Sequence, residues 1–131
     1  MSGEGPLKVR EEKGQRMATV EECRAALEKL IEQFAEISEK DRAKHVVERR
    51  LACRISDLDV TFYGRIHPEG LDPFKEVPPE DGRPAEVKLT LSSTDLISMV
   101  NGELDMARAL LGGRVKIDAS LGDLLRLRKL L

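Results

Sequence analysis

The sequence has no tryptophan, one tyrosine and three phenylalanines among its 131 residues. Single-stranded nucleic acids are held on aromatic faces, so this scarcity argues against such a partner. The formal net charge of −2 argues the same way, because binding phosphates needs a basic excess. No apolar run approaches the roughly 18 residues of a membrane-spanning helix, and no secretory signal is read. Only Cys23 and Cys53 carry thiols, and they are far apart in sequence. That pattern excludes a disulfide scaffold and fits reduced, buried thiols in a cytoplasmic protein. His45 has no second histidine, cysteine or carboxylate cluster at ligand spacing, so no metal and no cofactor is expected.

What is present is a soluble balance of 40% hydrophobic and 35% charged residues, in a length that suits one domain. Residues 1–17 are charged and lack an apolar period; they read as a disordered N-terminal tail before a domain at 18–131. Thr19 and Glu22 make a capping box that opens an amphipathic helix. Its stripe is Val20, Cys23, Leu27, Leu30, Ile31, Phe34 and Ile37, about five turns long. Ser38 to Val47 reads as a polar connector, with room for a helical turn. Leu51, Cys53 and Ile55, then Val60, Phe62, Gly64 and Ile66, alternate as a hairpin turned at Ser56–Asp59. Gly64 inside its strand marks a bulge or a close approach. Residues 67–84 hold five prolines and read as a loop, with Leu71, Phe74 and Val77 either tacking it to the core or forming a rim.

The stretch from Val87 to Leu131 changes period repeatedly. Val87, Leu89 and Leu91 alternate as a strand. Ser92 or Ser93 caps a short helix bearing Leu96, Ile97 and Val100, with Asp95 at capping-box spacing from Ser92, and the helix stops at Asn101-Gly102. Asp105 to Leu111 is a second short helix bearing Met106, Ala107, Leu110 and Leu111. Val115, Ile117 and Ala119 alternate again, and Ser120 caps a last leucine-rich helix. Each strand has one apolar and one polar face. The expected fold is α+β: a one-sided, mainly antiparallel sheet with helices segregated on one face.

The ordered set Leu89-x-Leu91-x3-Asp95-Leu96, Gly102-Glu103-Leu104-Asp105, Ala107-x-Ala109 and Gly113-Arg114-Val115-Lys116-Ile117 resembles the sterol carrier protein-2 family. The resemblance covers the C-terminal third to half of the chain. It implies a roughly five-stranded sheet covered by helices, with an apolar tunnel that takes up fatty acyl chains, sterols or phospholipids without covalent chemistry. Two departures are visible. Ala119-Ser120 stands where Gly-Asp is usual, and the chain ends in Lys129-Leu130-Leu131 rather than a Ser-Lys-Leu address. With the long proline-rich loop, they suggest a bacterial stand-alone branch for which sterol itself is a poor ligand.

Three functions follow as expectations. The first is non-catalytic carriage of a lipid or other apolar small molecule. Its ligand-binding residues would be Phe62, Leu89, Leu96, Val100, Leu104, Met106, Leu110 and Leu111, with Leu121 and Leu125 closing one end. A transient membrane contact would use the terminal leucines, with Arg114, Arg126, Arg128 and Lys129 on lipid phosphates. The second is a ligand-free assembly module, a homodimer through the terminal leucine stripe. The third is a small enzyme using Tyr63 with Asp59, among Asp57, His67 and Asp72. Asp57 and Asp59 bracket a turn, where aspartate is expected for backbone bonding, so no enzyme is the expectation.

Overall fold

The computed structural model describes residues 17–78 and 81–130, with side chains as far as Leu125. The tail expected at 1–17 therefore lies outside the described residues except for Met17. So do the side chains of Arg126, Arg128 and Lys129, on which the phosphate contact was placed.

Helix α1 (Val20–Ala35) opens on the capping box that the sequence announces. The Glu22 amide donates to Thr19 Oγ1 (3.1 Å) and the Thr19 amide to Glu22 Oε1 (2.8 Å). Its buried residues are Cys23, Ala26 and Leu27. The helix stops at Ala35, short of Ile37. The expected polar connector contains a helix of its own, α2 (Glu39–His45), capped by Ser38 Oγ accepting from the Asp41 amide.

The hairpin forms as expected: β1 (Arg49–Ile55) and β2 (Val60–His67) run antiparallel, with Cys53 opposite Phe62 and Ile55 opposite Val60. Asp59 closes the turn at φ +52°, a left-handed conformation that aspartate tolerates. The segment expected to be a plain loop contributes two short strands, β3 (Gly70–Leu71) and β4 (Lys75–Val77). Both pair with β2, one after the other along the same edge. Pro73 sits at the interruption, where its missing N–H cannot join a ladder, and an edge is the place a sheet tolerates it. Leu71 and Val77 are buried, so these residues do tack the segment to the core.

β5 (Val87–Leu91) and β6 (Lys116–Asp118) complete a six-stranded sheet among the described residues, in the order β3-β2-β1-β5-β6 with β4 also on β2. The β1–β5 pair is parallel, with Cys53 beside Leu89 and Ile55 beside Leu91. The sheet is thus mostly antiparallel, with six strands against the five expected and one central parallel pair. A parallel pair needs a crossover. Here the chain leaves β4 on the β2 edge and returns beyond β1, and residues around 83–86 lie on the polar face. Tyr63 Oη donates to the Pro84 carbonyl (2.6 Å) and Arg83 lies over the Tyr63 ring, 5.0 Å from its centroid. Glu86 is paired by Arg50 through both backbone amide and guanidinium. The other face is covered by helices. Cys23, Ala26 and Leu27 of α1 share one core with Cys53, Ile55, Phe62 and Leu91 of the sheet. A second, smaller cluster of Val46, Ile66 and Leu71 lies against Leu30, Ile31 and Phe34 of α1.

Candidate functional site

The helical layer over the inner face is built from two short, individually capped pieces. α3 (Ser93–Val100) starts at Ser92, whose Oγ accepts from the Asp95 amide (3.2 Å). Ser93 is fully buried and joins three segments. Its hydroxyl donates to Asp57 Oδ2 (2.7 Å) and accepts from the Ala18 amide (2.9 Å), while its own amide donates to Asp57 Oδ1 (2.8 Å). Asp95 does not complete a capping box; its carboxylate takes the Arg114 guanidinium instead, with Nη2 2.5 Å from Oδ1. The other end of α3 is tied to α1. Gln33 Nε2 donates to the Val100 carbonyl (3.0 Å) and Lys29 Nζ to Asn101 Oδ1 (2.7 Å). Gly102 then reverses the chain at φ +74°.

α4 (Met106–Leu111) is capped by Asp105, which accepts from the Arg108 amide (3.2 Å). Its buried residue is Ala109, and the Val115 amide returns to the Ala109 carbonyl (3.1 Å). After β6, α5 (Leu121–Leu130) begins with Ser120 Oγ accepting from the Asp123 amide (3.1 Å). Asp123 is buried and receives Arg49 Nε at 3.0 and 3.1 Å, which fixes the start of this helix to β1.

The expected ligand-binding residues fall into three groups. Phe62, Leu96 and Val100 are buried in the main core. Leu89, Leu104 and Met106 are half-buried and packed against it. Leu110, Leu111, Leu121 and Leu125 are exposed, Leu111 at 90%. Ile97, Met99 and Ile117 stand in the same half-buried position as Leu89 and belong to the same layer. Ile97 and Ile117 were visible as stripe and strand residues; Met99 follows a serine outside the main stripe and carried no signal.

The Arg24 guanidinium lies over the Phe62 ring, 5.6 Å from its centroid, and pairs with Glu76 at 3.0 Å. The core therefore ends in a polar rim on the β4 side. Both thiols are buried. Burial pushes the Cys23 thiol up to about 11, helped by Asp57 and Glu22. It pushes Cys53 up to about 12, helped by Cys23. Neither is a thiolate at neutral pH, so neither is activated as a nucleophile.

The groups considered for acid–base work have other partners. Asp59 pairs with Arg54 (2.5 Å), Tyr63 with Pro84, and Asp57 with Ser93. His67 and Asp72 do meet, at 2.7 Å, on the outer edge of the sheet. Among the described residues no group of three histidine, cysteine or carboxylate side chains is set to hold a metal ion. None of the described helices is long and apolar enough to cross a membrane.

No curated protein matches the sequence. Among solved structures, the chain is similar to the sterol carrier protein domain 2 of Helicoverpa armigera: TM-score 0.59, 19% identity, covering 88% of this chain and 91% of that one. It is similar to palmitated SCP2L2 from Aedes aegypti, with TM-score 0.55 and 13% identity over 86% of this chain and 94% of that one. It is also similar to part of the stereoselective inverting sec-alkylsulfatase Pisa1 from Pseudomonas sp., with TM-score 0.55 and 19% identity. There the match covers 78% of this chain but only 16% of the sulfatase, so the chain spans about a sixth of that enzyme. These likenesses show the fold. The model of the SCP-2 sterol transfer family matches residues 27–131, from the first helix through the last, and the chain belongs to that family.

Proposed function

We propose that this protein binds and carries a lipid or other apolar small molecule, of the fatty-acyl kind, in an internal cavity or tunnel and without covalent chemistry. The observation that supports this most is the half-buried aliphatic layer. Leu89, Ile97, Met99, Leu104, Met106 and Ile117 pack against the main core yet stay only half-buried. Ile97 and Met99 lie on α3 and Met106 on α4, short helices each followed by a glycine-containing turn, Leu104 in the link between them, and Leu89 and Ile117 opposite each other on β5 and β6. Phe62, Leu96 and Val100 would form the floor of the site. Leu110, Leu111, Leu121 and Leu125 would form its mouth. Burying an acyl chain contributes ~0.8 kcal/mol per methylene, so eight give about 6 kcal/mol before association costs, with no polar anchor needed. The palmitated relative fits an acyl occupant. The sulfatase shares only this fold, and its activity is not part of the reading.

Displacement of a fluorescent fatty acid tests the proposal. The protein should take up the probe and release it to unlabelled palmitate. Met106→Glu should weaken uptake at least about tenfold, since it sets a charge against the chain, with circular dichroism unchanged. Equal affinity in the variant would contradict the assigned layer.

A domain at residues 18–131 and a cytoplasmic place of work belong to the same reading. The exposed leucines on α4 and α5 also favour a second one, self-association or a transient membrane contact through that surface. Light scattering on the wild type and on Leu121→Ser/Leu125→Ser distinguishes self-association, which the double variant should abolish.

A further inference from the structure

We propose that His67 is a proton-operated latch: as an imidazolium it bonds two carboxylates at once and holds the edge segment 68–74 over the second apolar cluster, and as a neutral ring it releases one of them. Nδ1 lies 3.1 Å from Glu69 Oε1 and Nε2 lies 2.7 Å from Asp72 Oδ1. Ionised carboxylates only accept hydrogen bonds, and a neutral imidazole has a single N–H. Both contacts are therefore hydrogen bonds only when the ring is charged. His67 ends β2, Glu69 stands in the two-residue turn, and Asp72 follows β3, so the two bonds span the whole reversal.

The charged groups around the ring are few. Arg65, on the same strand, donates Nε to Asp72 Oδ2 (3.0 Å) and also pairs with Glu48. It keeps Asp72 ionised while opposing the imidazolium charge. The α1 side chains Leu30, Ile31 and Phe34 pack on the second cluster with Ile66, and His67, the next residue of β2, points to the opposite face of the sheet. The two carboxylate bonds prevail: the His67 pKa is raised from its ordinary value, chiefly by Asp72 and then by Glu69, against desolvation and Arg65. Asp72 and Glu69 are lowered, each first by His67.

The latched segment covers apolar surface. Leu71 is buried in the second cluster with Val46 and Ile66, and Phe74 packs against both that cluster and the main core. A histidine with a raised folded pKa contributes stability that is fully present below the unfolded value and is lost as pH rises through the folded one. The latch is therefore closed at mildly acidic pH and loosens as pH rises. It does not depend on the lipid reading.

Residue-resolved hydrogen exchange on the full chain tests it, from about pH 5 to about pH 9, the range over which a perturbed imidazole titrates. With intrinsic rates removed, the Asp72 amide, which donates to the Arg65 carbonyl, should lose roughly three- to tenfold of its protection as pH rises. The loss should follow the His67 ring titration, while Cys53 and Phe62 amides keep theirs. In His67→Gln the profile should be flat at the weaker level. The latch is overturned if the ring titrates with no change at the Asp72 amide, a comparison that needs no variant. It is also overturned if His67→Gln keeps the wild-type pH response.

Discussion

Phe74 lies flat against Gly64: a Cβ placed on residue 64 would stand 2.8 Å from both Cδ2 and Cε2 of the ring. The glycine in the middle of β2 is thus the seat for an aromatic residue of the interrupted edge. Gly64→Ala should destabilise the protein by about 1–3 kcal/mol, the usual cost of overpacking. Urea unfolding measures it. Restoration of most of the loss by Phe74→Leu in the same chain would assign it to this contact, whereas a neutral Gly64→Ala would show that the ring moves freely.

Ser93 holds the chain before α1, the β1–β2 turn and the start of α3 together through one hydroxyl. Ser93→Ala leaves the Ala18 amide and one Asp57 oxygen without this partner. The expected loss is about 1–3 kcal/mol, read by thermal unfolding. In a double-mutant cycle, Asp57→Ala should cost much less in the Ser93→Ala background than alone; additive losses would mean that the two do not act as a unit.

The segment crossing the polar face should be sensitive to acid. Hydrogen bonds from the Arg50 side chain and then its backbone amide hold the Glu86 carboxyl down at about 2, from an ordinary value near 4.5. A carboxylate with a lowered folded pKa contributes stability that is present above the unfolded value and is lost as pH falls through the folded one. Protection of the Arg50 amide should therefore decline between about pH 4.5 and about pH 2. Raised salt should shrink the effect, because the pair is open to solvent. Glu86→Gln should remove the decline, and an unchanged profile in that variant would assign the acid response elsewhere.

Cys23 and Cys53 should both resist a thiol reagent in the native protein and react fully in denaturant. Burial both blocks access and disfavours the thiolate. Rapid native modification of either would mean that α1 separates readily from β1.

The parts of this fold that could be read from the sequence are those fixed by local chemistry. Thr19 and Glu22 bond to each other's amides within one turn, so the start of α1 is written in four residues. The Ser56–Asp59 turn and the serine caps before α3 and α5 are equally local. α2 was legible only as a helical turn within a polar connector, because Glu39–His45 has no apolar stripe. The edge strands around Pro73 were hidden because pairing there depends on β2, not on their own residues. Alternation in Val87–Leu91 announces a half-buried strand but says nothing of direction, so the parallel partner was not legible. In α4 the stripe pointed to Leu110 and Leu111. With six residues the helix buries one small side chain, Ala109, and leaves Leu111 outside.

Native mass spectrometry of the full chain, purified from its host under gentle conditions and followed by organic extraction, tests the carrier reading most directly. The expected result is a co-purifying apolar molecule near one per chain, released on unfolding and competed by added palmitate. A clean apo mass, together with a refolded protein that takes up no fluorescent fatty acid, would contradict it and leave the exposed leucines of α4 and α5 as a surface for assembly.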